Sequence, residues 1–173
     1  MIPFTRFIAN EEHYHEVVSL MDCVRHTLWI GTADIKDLYV KRGQVAVPIL
    51  GEIAKLLRCG VEVRLIHAKE PGPAFREDFD KYPVLQTSLE RILCPRVHFK
   101  LWIFDCQTAY IGSANLTGAG IGMKSPKRRN FESGILTNDP TLVEAAMIQF
   151  DKVWIGSHCK MCGRKQYCTD RIR

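Results

Sequence analysis

No apolar run in this 173-residue chain approaches the ~18 residues that a membrane-spanning helix needs, so no span is expected. Residues 1–10 show no basic segment followed by an apolar stretch, and Glu11 and Glu12 come next. A signal peptide is therefore not expected, and a cytoplasmic location is. Internal repeats and low-complexity tracts are missing as well, which argues against solenoids and arrays. Cysteines number seven, an odd count that does not suit a full disulfide framework and fits a reducing compartment. Cys23, Cys59, Cys94 and Cys106 lie in apolar or turn contexts and are expected as small core residues. Negative charge is the scarcer sign, because 24 Lys and Arg oppose 19 Asp and Glu for a net +5. The excess is uneven: Lys124, Lys127, Arg128 and Arg129 form one basic cluster, and Lys160, Arg164, Lys165, Arg171 and Arg173 another. Such clusters suit a polyanionic partner, although a solvated surface accounts for charge alone equally well.

The length fits one compact domain with a small appendage. Residues 11–26 repeat apolar positions at helical spacing, Leu28–Ile30 reads as a buried strand, and Val45–Leu57 reads as a second helix stopped by Cys59-Gly60. Val61–Ile66 alternates like a strand, residues 69–83 hold three prolines and read as a loop or broken helix, and Leu85–Leu93 reads as a helix. Val97–Phe104 and Thr108–Ile111 follow as two strands around a turn at Asp105–Gln107, then a strand at Phe131–Thr137 and a helix at Leu142–Trp154. The expected fold is α/β, a mixed sheet flanked by helices.

The centre of the chain carries the chemistry: His98-Phe-Lys100, then Asp105, then Gly112-Ser113-Ala-Asn115. Side chains two apart on a strand share a face, so His98 and Lys100 are expected to project together while Val97, Phe99, Leu101 and Ile103 enter the core. Gly112 and Ser113 let the backbone approach a ligand, and Asn115 adds an amide donor. Imidazole, ammonium, hydroxyl and amide together grip and attack a phosphate. Gly118-Ala-Gly120-Ile-Gly122-Met-Lys124 is superficially like a nucleotide-binding loop but fails, since Met123 stands where Gly is required. Its glycines are expected to end the motif and open a flexible loop.

The spacing H-x-K-x4-D-x6-G-S-x-N closely resembles the signature of the phospholipase D superfamily, and every fixed position is met. The resemblance extends over roughly residues 10–155 and includes Asn130-Phe-Glu132 on the strand after the motif. It implies an α-β-α sandwich over residues 1–157 and a two-step reaction needing no catalytic cofactor. His98 would form a phosphohistidine, while Lys100 and Asn115, helped by Ser113, would hold the non-bridging oxygens. Glu132 would accept a hydrogen bond from the imidazole, and Asp105 would secure the hairpin rather than touch substrate. Gly112, Lys124, Lys127, Arg128 and Arg129 are the candidate substrate contacts. A second histidine must act as acid and base, yet His13, His15, His26 and His67 lack a Lys two residues on. The resemblance therefore implies a homodimer sharing one site.

Residues 158–173 form a basic Cys-rich tail in which His158, Cys159, Cys162 and Cys168 are candidate ligands of one structural zinc. Three surface thiols or a local disulfide is the plain alternative, and an iron–sulfur cluster is disfavoured because only three cysteines are present there. Nucleic-acid phosphodiester hydrolysis is the leading expectation, with DNA or RNA as partner. Phospholipid hydrolysis or head-group transfer, and a non-catalytic nucleic-acid-binding module, are the alternatives.

Overall fold

The computed structural model describes residues 2–36, 38–42 and 45–170; Arg171 and Arg173 of the basic tail lie outside them. A seven-stranded sheet runs in the order β1 (Thr5–Ala9), β9 (Ser133–Thr137), β8 (Thr108–Gly112), β7 (Lys100–Phe104), β2 (Thr27–Thr32), β5 (Glu62–His67), β6 (Glu90–Leu93). The β2–β5 and β5–β6 pairs are parallel and the others antiparallel. A separate hairpin joins β3 (Tyr39–Arg42) to β4 (Val45–Pro48).

Both faces of the sheet are covered, so its central strands are apolar on both sides. On one face Leu28, Ile30, Leu65, Trp102 and Phe104 pack with α1 (Ile49–Arg58) and with the helical segment His13–Cys23. On the other, Trp29, Leu101, Ile103 and Ala109 pack with α4 (Pro140–Trp154), where Phe150 stacks on Trp29 at 5.2 Å. The result is the expected α-β-α sandwich. Asp139 caps α4 by accepting from the Leu142 N–H at 3.0 Å, with Pro140 in the first turn.

Several local expectations are corrected. Residues 11–26 are helical but not α: a π turn over His13–Val17 passes into a 3-10 turn over Val18–Cys23. The Ser19 hydroxyl bonds back to the His15 carbonyl at 2.6 Å, where side chain and backbone compete for the same acceptors. Val45–Pro48 is strand rather than helix, because its partner Tyr39–Arg42 meets it edge to edge, and α1 begins only at Ile49. The stretch 69–83 contains α2 (Pro73–Asp80), and α3 (Pro83–Ser88) follows, each opened by a proline in its first turn. Leu85–Leu93 is therefore not one helix; Glu90–Leu93 leaves it to pair with β5. Cys23, Cys59 and Cys106 are exposed rather than core residues, while Cys94 is half-buried and packs against the core on the α4 side.

Candidate active site

Strand β7 starts at Lys100, and exposed His98 precedes it, outside the strand that the sequence placed at Val97–Phe104. Lys100 is only 7% exposed, because its face of β7 continues into buried Trp102 and Phe104. Its ammonium donates to the His98 carbonyl at 2.8 Å and lies 3.4 and 3.5 Å from the two ring nitrogens. Lys100 thus ties the backbone of residue 98 while standing beside its imidazole. Burial pushes the Lys100 pKa below the usual lysine range, and the Glu132 carboxylate partly opposes that.

Ser113 and Glu132 meet at the adjoining end of β8 and β9. The Ser113 hydroxyl donates to Glu132 Oε2 at 2.5 Å and accepts the Ser133 N–H at 3.0 Å. Asn130 Nδ2 donates to Glu132 Oε1 at 3.0 Å. Both carboxylate oxygens are therefore engaged within the chain by Ser113 and Asn130, not by the imidazole expected from the sequence. The hydroxyl proton of Ser113 is likewise committed to Glu132 rather than offered to a ligand. Glu132 is further fixed by Asn10, whose side chain accepts its N–H at 3.3 Å and whose own N–H donates to its carbonyl at 3.0 Å.

Asn115 Oδ1 accepts from Asp34 N–H at 3.1 Å and lies 3.3 Å from Thr32 Oγ1, whose proton goes to the Asp34 carbonyl at 2.7 Å. With its carbonyl oxygen held there, the assignment of oxygen and nitrogen on this amide is fixed and its NH2 group is the donor end. A β-carbon on Gly120 would lie 2.5 Å from the Asn115 carbonyl oxygen, so only glycine allows the following loop to fold against Asn115. That loop is tied down rather than flexible: Gly120 N–H donates to Thr117 Oγ1 at 3.0 Å and Asn130 N–H to the Ala119 carbonyl at 3.1 Å. Ile121 is buried within it.

Beneath the site lie two residues that sequence reasoning did not select. The hydroxyl of buried Tyr110 accepts the Ala114 N–H at 3.3 Å, and burial holds this phenol far above its usual pKa. His13 is 1% exposed, stands edge-on to Tyr110 at 5.2 Å, and places Nδ1 2.8 Å from the Asn10 carbonyl. No sequence signal marks Asn10 or His13, since Glu132, which Asn10 holds, and Tyr110, which His13 faces, lie about a hundred residues away or more.

Asp105 is at the other end of β7 from Lys100, roughly 16 Å away by strand rise. Its carboxylate accepts the N–H groups of Arg25, His26 and Thr27 at 2.7–2.9 Å. Burial is the largest single influence and raises its pKa, but those three donors together outweigh it and leave the group below the usual range. Asp105 belongs to the hairpin and not to the site. Of the basic candidates, Lys124, Lys127 and Arg128 are exposed, whereas Arg129 is paired with Glu11 at 2.5 Å. Gly112 pairs with Lys100 across β7 and β8, which brings the two halves of the motif side by side. Among the described residues no group of three or more His, Cys, Asp or Glu is arranged to hold a metal ion, the four tail candidates included.

A family model described as the phospholipase D-like domain of cardiolipin synthase matches residues 12–154. The chain belongs to the phospholipase D superfamily. No curated protein sequence matches it. Solved structures of similar fold include NucT from Helicobacter pylori, 17% identical with a TM-score of 0.63, covering 88% of this chain and 96% of that one. Nuc from Salmonella typhimurium, a phospholipase D family member, is 18% identical with a TM-score of 0.61, covering 88% and 95%. TrmBL2, an archaeal chromatin protein described as having a novel mode of DNA binding, is 13% identical with a TM-score of 0.59, covering 87% and 51%. The superfamily chain thus has nearly the full extent of two of these structures. No described helix is long and apolar enough to cross a membrane.

Proposed function

We propose that this protein is a metal-independent phosphodiesterase that hydrolyses nucleic acid through a phosphohistidine on His98. The observation that carries the reading is the exposed imidazole of His98 standing 3.4–3.5 Å from the Lys100 ammonium, whose own position is fixed by the residue 98 carbonyl. A neutral His98 nitrogen attacks phosphorus, and the bond to the leaving oxygen breaks. A second imidazole, from His98 of another copy of the chain, gives that oxygen its proton. Water then attacks phosphorus, returns a proton to the second imidazole, and the phosphorus–nitrogen bond breaks. Lys100 and the Asn115 amide stabilise the non-bridging oxygens where charge develops. Glu132 positions the site through Ser113 and Asn130. A second copy of the chain is called for because His13, His15, His26 and His67 have no lysine two residues on, so none of them repeats the His98–Lys100 pair.

A nucleic-acid substrate is favoured by exposed Lys124, Lys127 and Arg128 and by the net +5 charge, since phosphate contacts release counterions. Labelled DNA, RNA and phospholipid vesicles, each with and without EDTA, separate the readings. Cleavage of nucleic acid in both conditions, lost in His98→Ala, is expected. Base-stable, acid-labile phosphate on the quenched wild-type chain is the expected mark of the intermediate. Lipid turnover without nucleic-acid cleavage would replace the substrate, and tight DNA binding with no turnover would replace the enzyme by a binding module. Activity abolished by EDTA and restored by a divalent ion would overturn the mechanism.

A further inference from the structure

The tail does not hang free of the domain. Asp170 Oδ2 accepts the Leu93 N–H at 2.5 Å, Cys168 Sγ donates to the Leu93 carbonyl at 3.7 Å, and Arg164 Nη1 donates to the Pro95 carbonyl at 3.1 Å. Two of these contacts land on Leu93, the last residue of β6, and the third on Pro95 in the stretch that leads to His98. That stretch contains Cys94, which opens a turn: Val97 N–H donates to the Cys94 carbonyl at 3.0 Å, with Pro95 at the second position. Cys94 N–H is itself anchored on the His67 carbonyl at 2.9 Å, at the end of β5.

Cys94, Cys159 and Cys162 line one cavity, whose walls also include Arg96, Val97, Phe99 and Lys152. Cys168 lies within electrostatic reach of both Cys94 and Cys159. Two chain segments some 65 residues apart thus bring three thiols to one cavity, and Cys168 touches Leu93, the neighbour of Cys94. Cys159 and Cys162 are joined by a turn in which Cys162 N–H donates to the Cys159 carbonyl at 3.2 Å, and Arg164 N–H donates to Cys162 Sγ at 3.4 Å. A backbone N–H aimed at the sulfur orients and stabilises a thiolate, as outer-shell donors do around metal ligands.

We propose that Cys94, Cys159, Cys162 and Cys168 form a four-thiolate zinc site that fastens the tail to the segment leading into His98. The thiols border the cavity rather than meeting at a point, so coordination draws them together by rotation about each Cα–Cβ bond. Four thiolates around Zn2+ carry a net charge of about −2. Arg96, which hydrogen-bonds Cys162, and Lys165 nearby offset it. His158 borders the same cavity, yet it is adjacent to Cys159 in the chain and exposed, so Cys94 takes the fourth position. Val97, buried between Cys94 and His98, transmits the constraint. The metal site and its test stand without reference to the reaction.

Purified, reduced full-length protein should contain one zinc per chain, and zinc-edge X-ray absorption should report four sulfur neighbours at about 2.3 Å. Three sulfurs and one nitrogen would assign His158 instead and overturn the part of Cys94. Protein without bound metal, with Cys94 in a disulfide, or with iron and inorganic sulfide would overturn the site. Cobalt-substituted protein should show thiolate-to-cobalt absorption that Cys94→Ser weakens and His158→Ala leaves intact. The absorption measurement on the unaltered chain decides the ligand set even where Cys94→Ser fails to fold. If the site is present, its loss should speed amide exchange at residues 97–100; unchanged exchange there would overturn the fastening role.

Discussion

The hydroxyl of Tyr110 fills the space that a β-carbon on Gly112 would need, and the Ser133 carbonyl closes it from another side at 2.8 Å. The motif's glycine therefore answers to the packing beneath it as well as to the ligand above. Gly112→Ala should destabilise the fold by about 1–3 kcal/mol through overpacking and displace Ser113, lowering kcat. Tyr110→Phe should not rescue it, because the ring carbon and the Ser133 carbonyl stay in place. Denaturant unfolding of the single and double variants checks this; full recovery in the double variant would contradict it.

Asp105 supplies an acceptor for three backbone N–H groups far from His98. Asp105→Ala should cost about 1–3 kcal/mol of stability and leave kcat within about twofold at temperatures where the protein stays folded. A kcat lost in step with His98→Ala, in a protein shown by circular dichroism to be folded, would place Asp105 in the chemistry after all.

Burial lowers the His13 pKa from the ordinary 6.5, while the Asn10 carbonyl and the carboxylates of Glu132 and Glu12 oppose the shift less strongly. Unfolded His13 takes up a proton as pH falls through 6.5, and folded His13 resists. Stability should thus be complete above that value and drain away below it, at no more than about 1.4 kcal/mol per pH unit for this group. Buried His67, lowered for the same reason, adds loss of the same sign. Urea unfolding at pH 7.5, 6.5 and 5.5 should show a smaller loss for His13→Phe; an unchanged slope would remove His13 from the account.

Counting imidazoles gives another outcome. If each site draws His98 from two chains, a dimer of one wild-type and one His98→Ala chain is nearly inactive. Mixed, dissociated and re-paired at random, such chains should show activity proportional to the square of the wild-type fraction. With exchange verified by labelled chains, a straight line would mean a self-sufficient monomeric site.

The motif hairpin was legible in the sequence because its meaning lies in spacing: His98, Lys100, Gly112, Ser113 and Asn115 keep fixed intervals from just before β7 to the turn after β8. Legibility failed where a partner decides. Val45–Pro48 has helix-compatible apolar spacing, and only the facing strand makes it extended. Glu90–Leu93 is too short to declare its period, and its parallel neighbour β5 recruits it. Ser113 and Asn10 were not legible as partners of Glu132 for the same reason, since they lie 19 and 122 residues away. Lys100 was expected to face outward, but a strand covered on both sides has no outward face, and its ammonium reaches back to residue 98 instead.

The union of β1 with β9 joins residues 5–9 to 133–137. Closing so long a loop adds little thermodynamic cost, since each doubling of length costs only about 0.6 kcal/mol, but contacts of such separation form slowly. Asn10, just past the end of β1, is also the residue that grips Glu132. Peeling away this edge strand would free the Glu132 backbone while the rest of the sheet stays paired, leaving the carboxylate to Ser113 and Asn130 alone. On warming, inactivation therefore runs ahead of melting, and after dilution from denaturant the recovery of turnover trails the recovery of secondary structure.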